Sequence, residues 1–350
     1  MDKKSAFFIL LSVIILAVML YLIGIDNVID ALKGADLGLI ALAIVIQFVA
    51  FLLYTLRWKL LNNLADIYVG FRQLFPIMMV GLAVNNITPS GRGGGEPVRA
   101  YILAKEHGYS LKDTFATVVA DRVLDTFPFI VLAAITIISM ILYFDIAQWL
   151  LVVLVLSVIA IIAILAMLIY LCINPGFGNR VEGWIMAVVN RVYKKGSDDL
   201  QVKIHENIFG FQKTMKLIIS DKKMLCYTIP LSFVIWICEI MRVYIVFLAF
   251  GATLNVIVIG EVFIIASLVG MIPLLPGGLG AVDGVMISFY SKAGVSASLA
   301  APVTMVERLI SFWMASIIGL IILPHYGSSV LEKISIGSSA EELENSIKED

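Results

Sequence analysis

Apolar residues in this chain lie in long unbroken runs, not in the short alternations of a soluble fold. Uncharged stretches cover Ser5–Ile25, Leu37–Leu56, Thr126–Phe144, Ile146–Asn179, Val262–Val282 and Leu309–Leu331. Each is long enough to cross a bilayer, which takes about 20 apolar residues. The pattern predicts spanning helices at about 6–23, 37–56, 111–144, 148–173, 224–250 and 300–323. The second of these ends at Arg57, Trp58 and Lys59, which read as an aromatic and basic interface anchor. Two further apolar stretches, 74–88 and 257–272, are too short. At 1.5 Å per residue the first reaches roughly 22 Å, against a hydrocarbon core of about 30 Å.

Each short stretch runs into a break. Asn85-Asn86-Ile87-Thr88-Pro89-Ser90-Gly91-Arg92-Gly93-Gly94-Gly95-Glu96-Pro97-Val98-Arg99 is glycine-rich, proline-flanked and charged. A run of glycines cannot continue a helix cheaply, while Pro97 suits the first turn of a new one. A short helix is therefore expected over 97–104. A weaker copy, Pro273-Leu274-Leu275-Pro276-Gly277-Gly278-Leu279-Gly280-Ala281-Val282-Asp283, precedes a short helix expected over 281–292. Open backbone at membrane depth must be buried in protein or line a wet cavity.

The long polar connection, 174–223, carries apolar residues at three- and four-residue steps: Val181, Trp184, Ile185 and Val188, then Ile204, Ile208, Phe211 and Met215. Two amphipathic helices follow from this, either on the membrane surface or packed as a hairpin on the core. The connection holds nine Lys and Arg, whereas 145–147 and 251–255 hold none. The positive-inside rule then places it in the cytoplasm, together with both termini. The same count turns 74–112 and 256–299 into re-entrant hairpins that enter from opposite sides. Residues 324–350 form a tail, Ser- and Glu-rich from 337 and expected to be disordered.

The two halves share spacings. Gly108-x-Ser110 leads to Asp121-Arg122 as Gly294-x-Ser296 leads to Glu307-Arg308, and Glu96 or Asp283 lies 11–12 residues before that glycine. Arg57 precedes Pro89 by 32 residues, and Arg242 precedes Pro276 by 34. The expected architecture is a single all-α transmembrane domain over 1–323. It has about six full spans plus two broken-helix hairpins, in inverted repeats of about 37–144 and 224–323, an arrangement typical of transporters.

Composition agrees, with 61% hydrophobic and 15% charged residues, against about 25% charged in soluble domains. A net charge of −1 singles out no partner, and no nucleic-acid partner is expected. Lys3 and Lys4 precede the first apolar run as in a signal peptide. That run is too long for one and lacks a small-x-small cleavage site, so a retained helix is expected. Cys172, Cys226 and Cys238 have neither metal nor disulfide spacing, and His107, His205 and His325 are far apart. No catalytic cluster, cofactor or metal site is expected.

The first break is a candidate anion site. Free N–H groups, a helix start, Arg92 and Arg99 all favour a lipid phosphate, with Glu96 as cap. The competing reading is a packed helix break whose Arg–Glu pairs are structural. No Lys-Ser/Thr follows Gly95, so it is not a Walker loop, and no strand surrounds it as in a Rossmann fingerprint. Asn85 and Asn86 are expected to bond the opened backbone or to touch a head group. Asp121, Arg122 and Asp125 fall within one turn, as do Glu239 and Arg242. A bare charge at the bilayer centre costs about 3 kcal/mol, so these side chains must face the interior. They form either a polar route for a head group or a proton, or ion pairs that fix register.

The motifs Asn85-Asn86…Pro89, Arg92…Gly94-Gly95-Glu96-Pro97…Arg99, Asp121-Arg122, Pro276-Gly277-Gly278-Leu279-Gly280 and Glu307-Arg308 resemble the flippase-like transmembrane region of lysylphosphatidylglycerol synthases. Uncharacterised archaeal and bacterial membrane proteins share that region, and it also resembles the membrane part of an archaeal dolichol-phosphate glycosyltransferase. The resemblance covers roughly 5–325. It implies movement of lipid-linked head groups across the membrane, with Arg92, Glu96, Arg99, Asp121, Arg122, Asp283, Glu307 and Arg308 as candidate contacts. Asp283 departs from the family's Glu. No soluble synthase or transferase segment is visible, so aminoacyl and sugar transfer are not expected. The function expected is flippase-like transport of a membrane lipid with an anionic head group, a phospholipid or a polyprenyl phosphate-linked glycan. The alternatives are a membrane enzyme using Asp121, Glu96 or Glu239 as base, and a subunit anchoring a soluble transferase through 174–223.

Overall fold

The computed structural model describes residues 32–88, 93–143, 148–192, 198–271 and 278–327. The helix predicted at 6–23, the tail from 328 and Arg92 lie outside the described residues. Among the described residues the chain is helical, with no strand. In order the helices are α1 Leu37–Leu64, α2 Phe71–Ile87, α3 Gly95–His107, α4 Leu111–Tyr143, α5 Gln148–Ile173, α6 Pro175–Val192, α7 Asp198–Ser220, α8 Lys222–Ala249, α9 Val256–Gly270, α10 Ala281–Lys292, α11 Ala297–Arg308 and α12 Met314–Ile322. A π-helical segment, Leu309–Trp313, joins the last two into one rod that ends in a 3-10 turn, Leu323–Tyr326.

Starts are set by short polar side chains that satisfy the first free N–H groups. Asp36 accepts from Gly38 N at 2.8 Å, Asp221 from Met224 N at 2.8 Å, and Asn255 from Ile257 N at 2.9 Å. Five helices are long and apolar enough to cross a membrane: α1, α4, α5, α8 and the composite rod Ala297–Tyr326. The chain is thus a polytopic helical membrane protein. α9 is apolar but has only 15 residues, roughly 22 Å.

Two cores share the rod and α1. In the first, Trp58 of α1, Leu74 and Ile77 of α2, Ala100 and Leu103 of α3 and Val118 of α4 pack with Phe312, Trp313 and Leu320. In the second, Ile40 and Ala43 of α1 pack with Val243 and Phe247 of α8, Ile259 and Val262 of α9, Met286 of α10 and Val303 of α11. The rod thus touches one broken hairpin with each of its ends.

Close approach sets the glycine choice at two points. A Cβ at Gly95 would lie 1.9 Å from the Gly81 carbonyl oxygen, so α3 is laid directly on the backbone of α2. A Cβ at Gly319 would lie 2.3 Å from Met79 O, which brings α12 equally near the same helix.

One sequence expectation needs revision. Arg57 and Trp58 are not interface anchors: α1 runs on to Leu64, and the two side chains are 1% and 0% exposed. The 174–223 connection forms two helices, α6 and α7. α7 packs on the core, with Met215 and Ile218 buried beside Ala116, Ala120 and Leu61, and Thr214 Oγ1 donates to Asp113 at 2.6 Å. α6 leaves Trp184 largely exposed.

Candidate functional site

Charged side chains face inward from both cores. In the first half, Arg57 Nε of α1 lies 2.7 Å from Asp121 Oδ1 of α4, and its Nη1 lies 3.0 Å from Asp125 Oδ1. The same Nη1 donates to Ser232 Oγ of α8 at 3.0 Å. The other oxygen of Asp121 takes Arg99 Nη2 of α3 at 2.9 Å. The Arg99 guanidinium lies over the Trp58 ring, 4.5 Å from its centre. Trp58 Nε1 donates to Thr117 Oγ1 at 3.3 Å, and Thr117 donates to Asn62 Oδ1 at 2.6 Å. Three helices are thereby pinned to one carboxylate. Such a pair is costly to bury and more costly to break, because a lone charge would remain.

Arg122, the residue after Asp121, stands apart. Among the described residues its one ion pair is a long one, 3.9 Å to Asp125, and its side chain is 36% exposed. The tip of the first hairpin lies beside it. Asn85 Oδ1 accepts from Gly95 N at 2.6 Å, and Asn85 Nδ2 donates to Glu96 Oε1 at 3.2 Å. Glu96 Oε2 is buried with no hydrogen-bond partner among the described residues. Asn86 Nδ2 donates to Phe312 O at 3.1 Å and Ser316 Oγ at 2.9 Å, tying this tip to the rod.

A second set of inward charges lies among α1, α8, α10 and α11. Arg242 of α8 is fully buried and pairs with Glu239 one turn before it, with Gln47 of α1, and with Glu307 of α11, the last at 2.6 Å. Gln47 Nε2 also donates to Glu239 Oε1 at 3.3 Å. Arg308 Nε lies 3.0 Å from Asp283 Oδ1, and its guanidinium covers Phe312 at 4.4 Å. Asp283 Oδ2 accepts from Gly280 N at 2.8 Å, capping α10. Arg57–Asp121 and Arg242–Glu307 therefore join the same elements in each half: the first long helix and the helix that follows the hairpin.

Two cavities meet here. A polar one of about 170 Å³ lies between the halves, lined by Gln47, Asn85, Asn86, Glu239, Arg242, Glu307 and Arg308. A mostly apolar one of about 910 Å³ lies between α4, α5 and α7, walled by Phe115, Ile161, Ile164, Leu165, Leu168 and Phe211. Arg122 lines both, and Glu96 and Lys112 lie at the larger one. Among the described residues, no group of three His, Cys, Asp or Glu side chains is placed to hold a metal.

The structure thus brings together Asn85, Asn86, Glu96, Asp121, Arg122, Asp125, Glu307 and Arg308, with Asp283 reaching the same region through Arg308. Arg99 is present but already matched by Asp121. Sequence reading missed Gln47, Ser232 and Lys112, which carry no distinguishing pattern. The expected neighbours Glu239 and Arg242 do pair, but the wider links of Arg242 to Gln47 and Glu307 and of Arg57 to Asp121 were missed, although the like distances of the two arginines from Pro276 and Pro89 were a signal.

Helices packed about internal ion pairs and an inner polar cavity define a multi-pass membrane protein. The chain belongs to the family described as lysylphosphatidylglycerol synthase TM region, which matches residues 8–319. It is 50% identical over 334 residues to a UPF0104 membrane protein of Methanothermobacter thermautotrophicus, covering 95% of this chain and 99% of that one. A UPF0104 membrane protein of Methanocaldococcus jannaschii is 32% identical over 321 residues, with 91% and 94% covered. One from Pyrococcus horikoshii is 29% identical, with 90% and 95% covered.

Proposed function

We propose that this protein moves a lipid with an anionic, phosphate-containing head group between membrane leaflets. The observation that carries this reading is Arg122. It is the half-exposed cation at the junction of a polar cavity and a large apolar one. That junction has the two-part chemistry of an amphiphile: a charge-matched place for a phosphate beside an apolar wall for its chains. Arg57, Arg99 and Arg242 are each held by buried carboxylates and serve as scaffold. Arg308 is the corresponding cation of the second half, bordering the polar cavity. Membership in the lysylphosphatidylglycerol synthase TM region family supports a lipid-related role.

The test is leaflet exchange of a labelled anionic phospholipid, and separately of a polyprenyl phosphate, in vesicles containing the purified chain. Wild type is expected to exceed empty vesicles. Arg122→Ala and Arg308→Ala are each expected to slow exchange by roughly tenfold or more, since a charge-assisted bond to phosphate is worth about 1.5–3 kcal/mol. Wild-type exchange no faster than empty vesicles, with every lipid and under an imposed proton gradient, would refute transport by this chain.

A further inference from the structure

One pair of side chains is arranged differently in the two halves. Glu96 opens α3 as Asp283 opens α10. Arg122 and Arg308 each directly follow the acid that holds a buried arginine, Asp121 with Arg57 and Glu307 with Arg242. In the second half the outer members lie within ion-pair distance: Arg308 Nε is 3.0 Å from Asp283 Oδ1, without hydrogen-bond geometry at that atom, and the arginine side chain is only 7% exposed. In the first half they are apart. Among the described residues Arg122, 36% exposed, has only its 3.9 Å ion pair with Asp125, and one buried oxygen of Glu96 has no hydrogen-bond partner. The cavity of about 910 Å³ lies on this unjoined side and is lined by both Glu96 and Arg122.

We infer that Glu96 and Arg122 close as an ion pair in a second conformation of this chain, and that Asp283 and Arg308 separate when they do. A buried carboxylate oxygen with no donor is a standing cost. Pairing it with the neighbouring cation removes that cost, so the alternative arrangement is a well and not a distortion. The geometry of the second half shows what the closed arrangement looks like. The two pairs act as opposed latches: the half whose latch is shut is sealed, and the other half is open to its cavity.

This inference rests on the lipid reading in one respect only, the identity of what Arg122 holds while its latch is open. A phosphate there occupies the place Glu96 takes on closure, so closing the latch and releasing the head group are the same exchange of anions on one arginine. The shift needs no change of charge on either side chain.

The experiment reads the open cavity directly. Val119 lines it one turn before Arg122, so Val119→Cys, with Cys172, Cys226 and Cys238 replaced, is labelled with a water-soluble maleimide in detergent. Asp283→Asn weakens the shut latch, and labelling is expected to fall roughly tenfold as the population moves to the Glu96–Arg122 state. Glu96→Gln alone is expected to leave labelling unchanged or raise it. Combined with Asp283→Asn it is expected to restore labelling to near the starting rate, because neither state then has its latch. Arg308→Lys, a milder weakening, is expected to lower labelling in the same direction and serves if Asp283→Asn does not fold. Unchanged labelling in the folded Asp283→Asn or Arg308→Lys protein overturns the latch. So does a fall that Glu96→Gln fails to reverse, or a fall caused by Glu96→Gln alone. Labelling shifts without leaflet exchange would overturn the lipid reading alone, whereas exchange without labelling shifts would overturn the latch alone.

Discussion

Asp121 binds arginines from two other helices, one through each oxygen, at 2.7 and 2.9 Å. Removing one arginine leaves a buried carboxylate half matched, and breaking such a pair costs about 3–5 kcal/mol. Arg57→Gln is therefore expected to lower the thermal unfolding temperature of the detergent-solubilised protein clearly. Arg57→Lys is expected to recover little of it, since an ammonium cannot supply the forked geometry that reaches Asp121, Asp125 and Ser232 together. Unfolding of Arg57→Gln at the wild-type temperature would show that the pair is not structural. The importance of Arg57 was half legible in the sequence. Its distance from Pro89 matched that of Arg242 from Pro276, but the end of an apolar run at Leu56 favoured an interface. A charge at the edge of a hydrophobic run looks the same whether it meets water or a partner, and the partner here lies 64 positions away. Arg99 shows the same limit: beside a glycine-rich break it has every mark of an anion binder, yet Asp121 already holds it.

At the scale of helices, hydrophobic length was read well because the bilayer demands it. α5, Gln148–Ile173, and α10, Ala281–Lys292, have the ends expected of them. α1 is longer than expected since Trp58 and Asn62 find hydrogen bonds inside the bundle through Thr117, so a polar stretch continued the helix. The interruption of the last helix at Leu309–Trp313 left no trace in the apolar pattern, because a π turn changes hydrogen-bond register and not composition. Packing between helices is tightest where α12 crosses α2. Gly319→Ala would place a methyl 2.3 Å from Met79 O. Backbone on the facing side cannot yield as a flexible side chain would, and overpacking of this kind costs about 1–3 kcal/mol. The expected result is a lower unfolding temperature with helix content by circular dichroism retained. An alanine that melts with wild type would mean that the two helices can move apart freely.

For the whole molecule, the expected topology stands or falls on the first hairpin. α2 has 17 residues and ends at Ile87, and α3 begins at Gly95, where Gly95 and Arg99 return to Gly81 and Met78 of α2. If this pair enters and leaves on the cytoplasmic side, Lys105→Cys in a cysteine-free background is expected to react with an impermeant maleimide only from within. Reaction from outside would remove the opposed orientation of the two hairpins. The rod that ends the described chain brings a different constraint. Its first part holds α8 through Glu307 and the second hairpin through Arg308, and its last part serves the first hairpin through Ser316 and Gly319. The π turn between them sets the angular offset of these faces, since each α-helical residue advances the phase by about 100°. Deleting a single residue between Leu309 and Trp313 would rotate one face against the other by that angle while leaving every named side chain present. In this segment residue number is therefore as binding as residue identity, and insertions or deletions tolerated in a surface loop have no counterpart here.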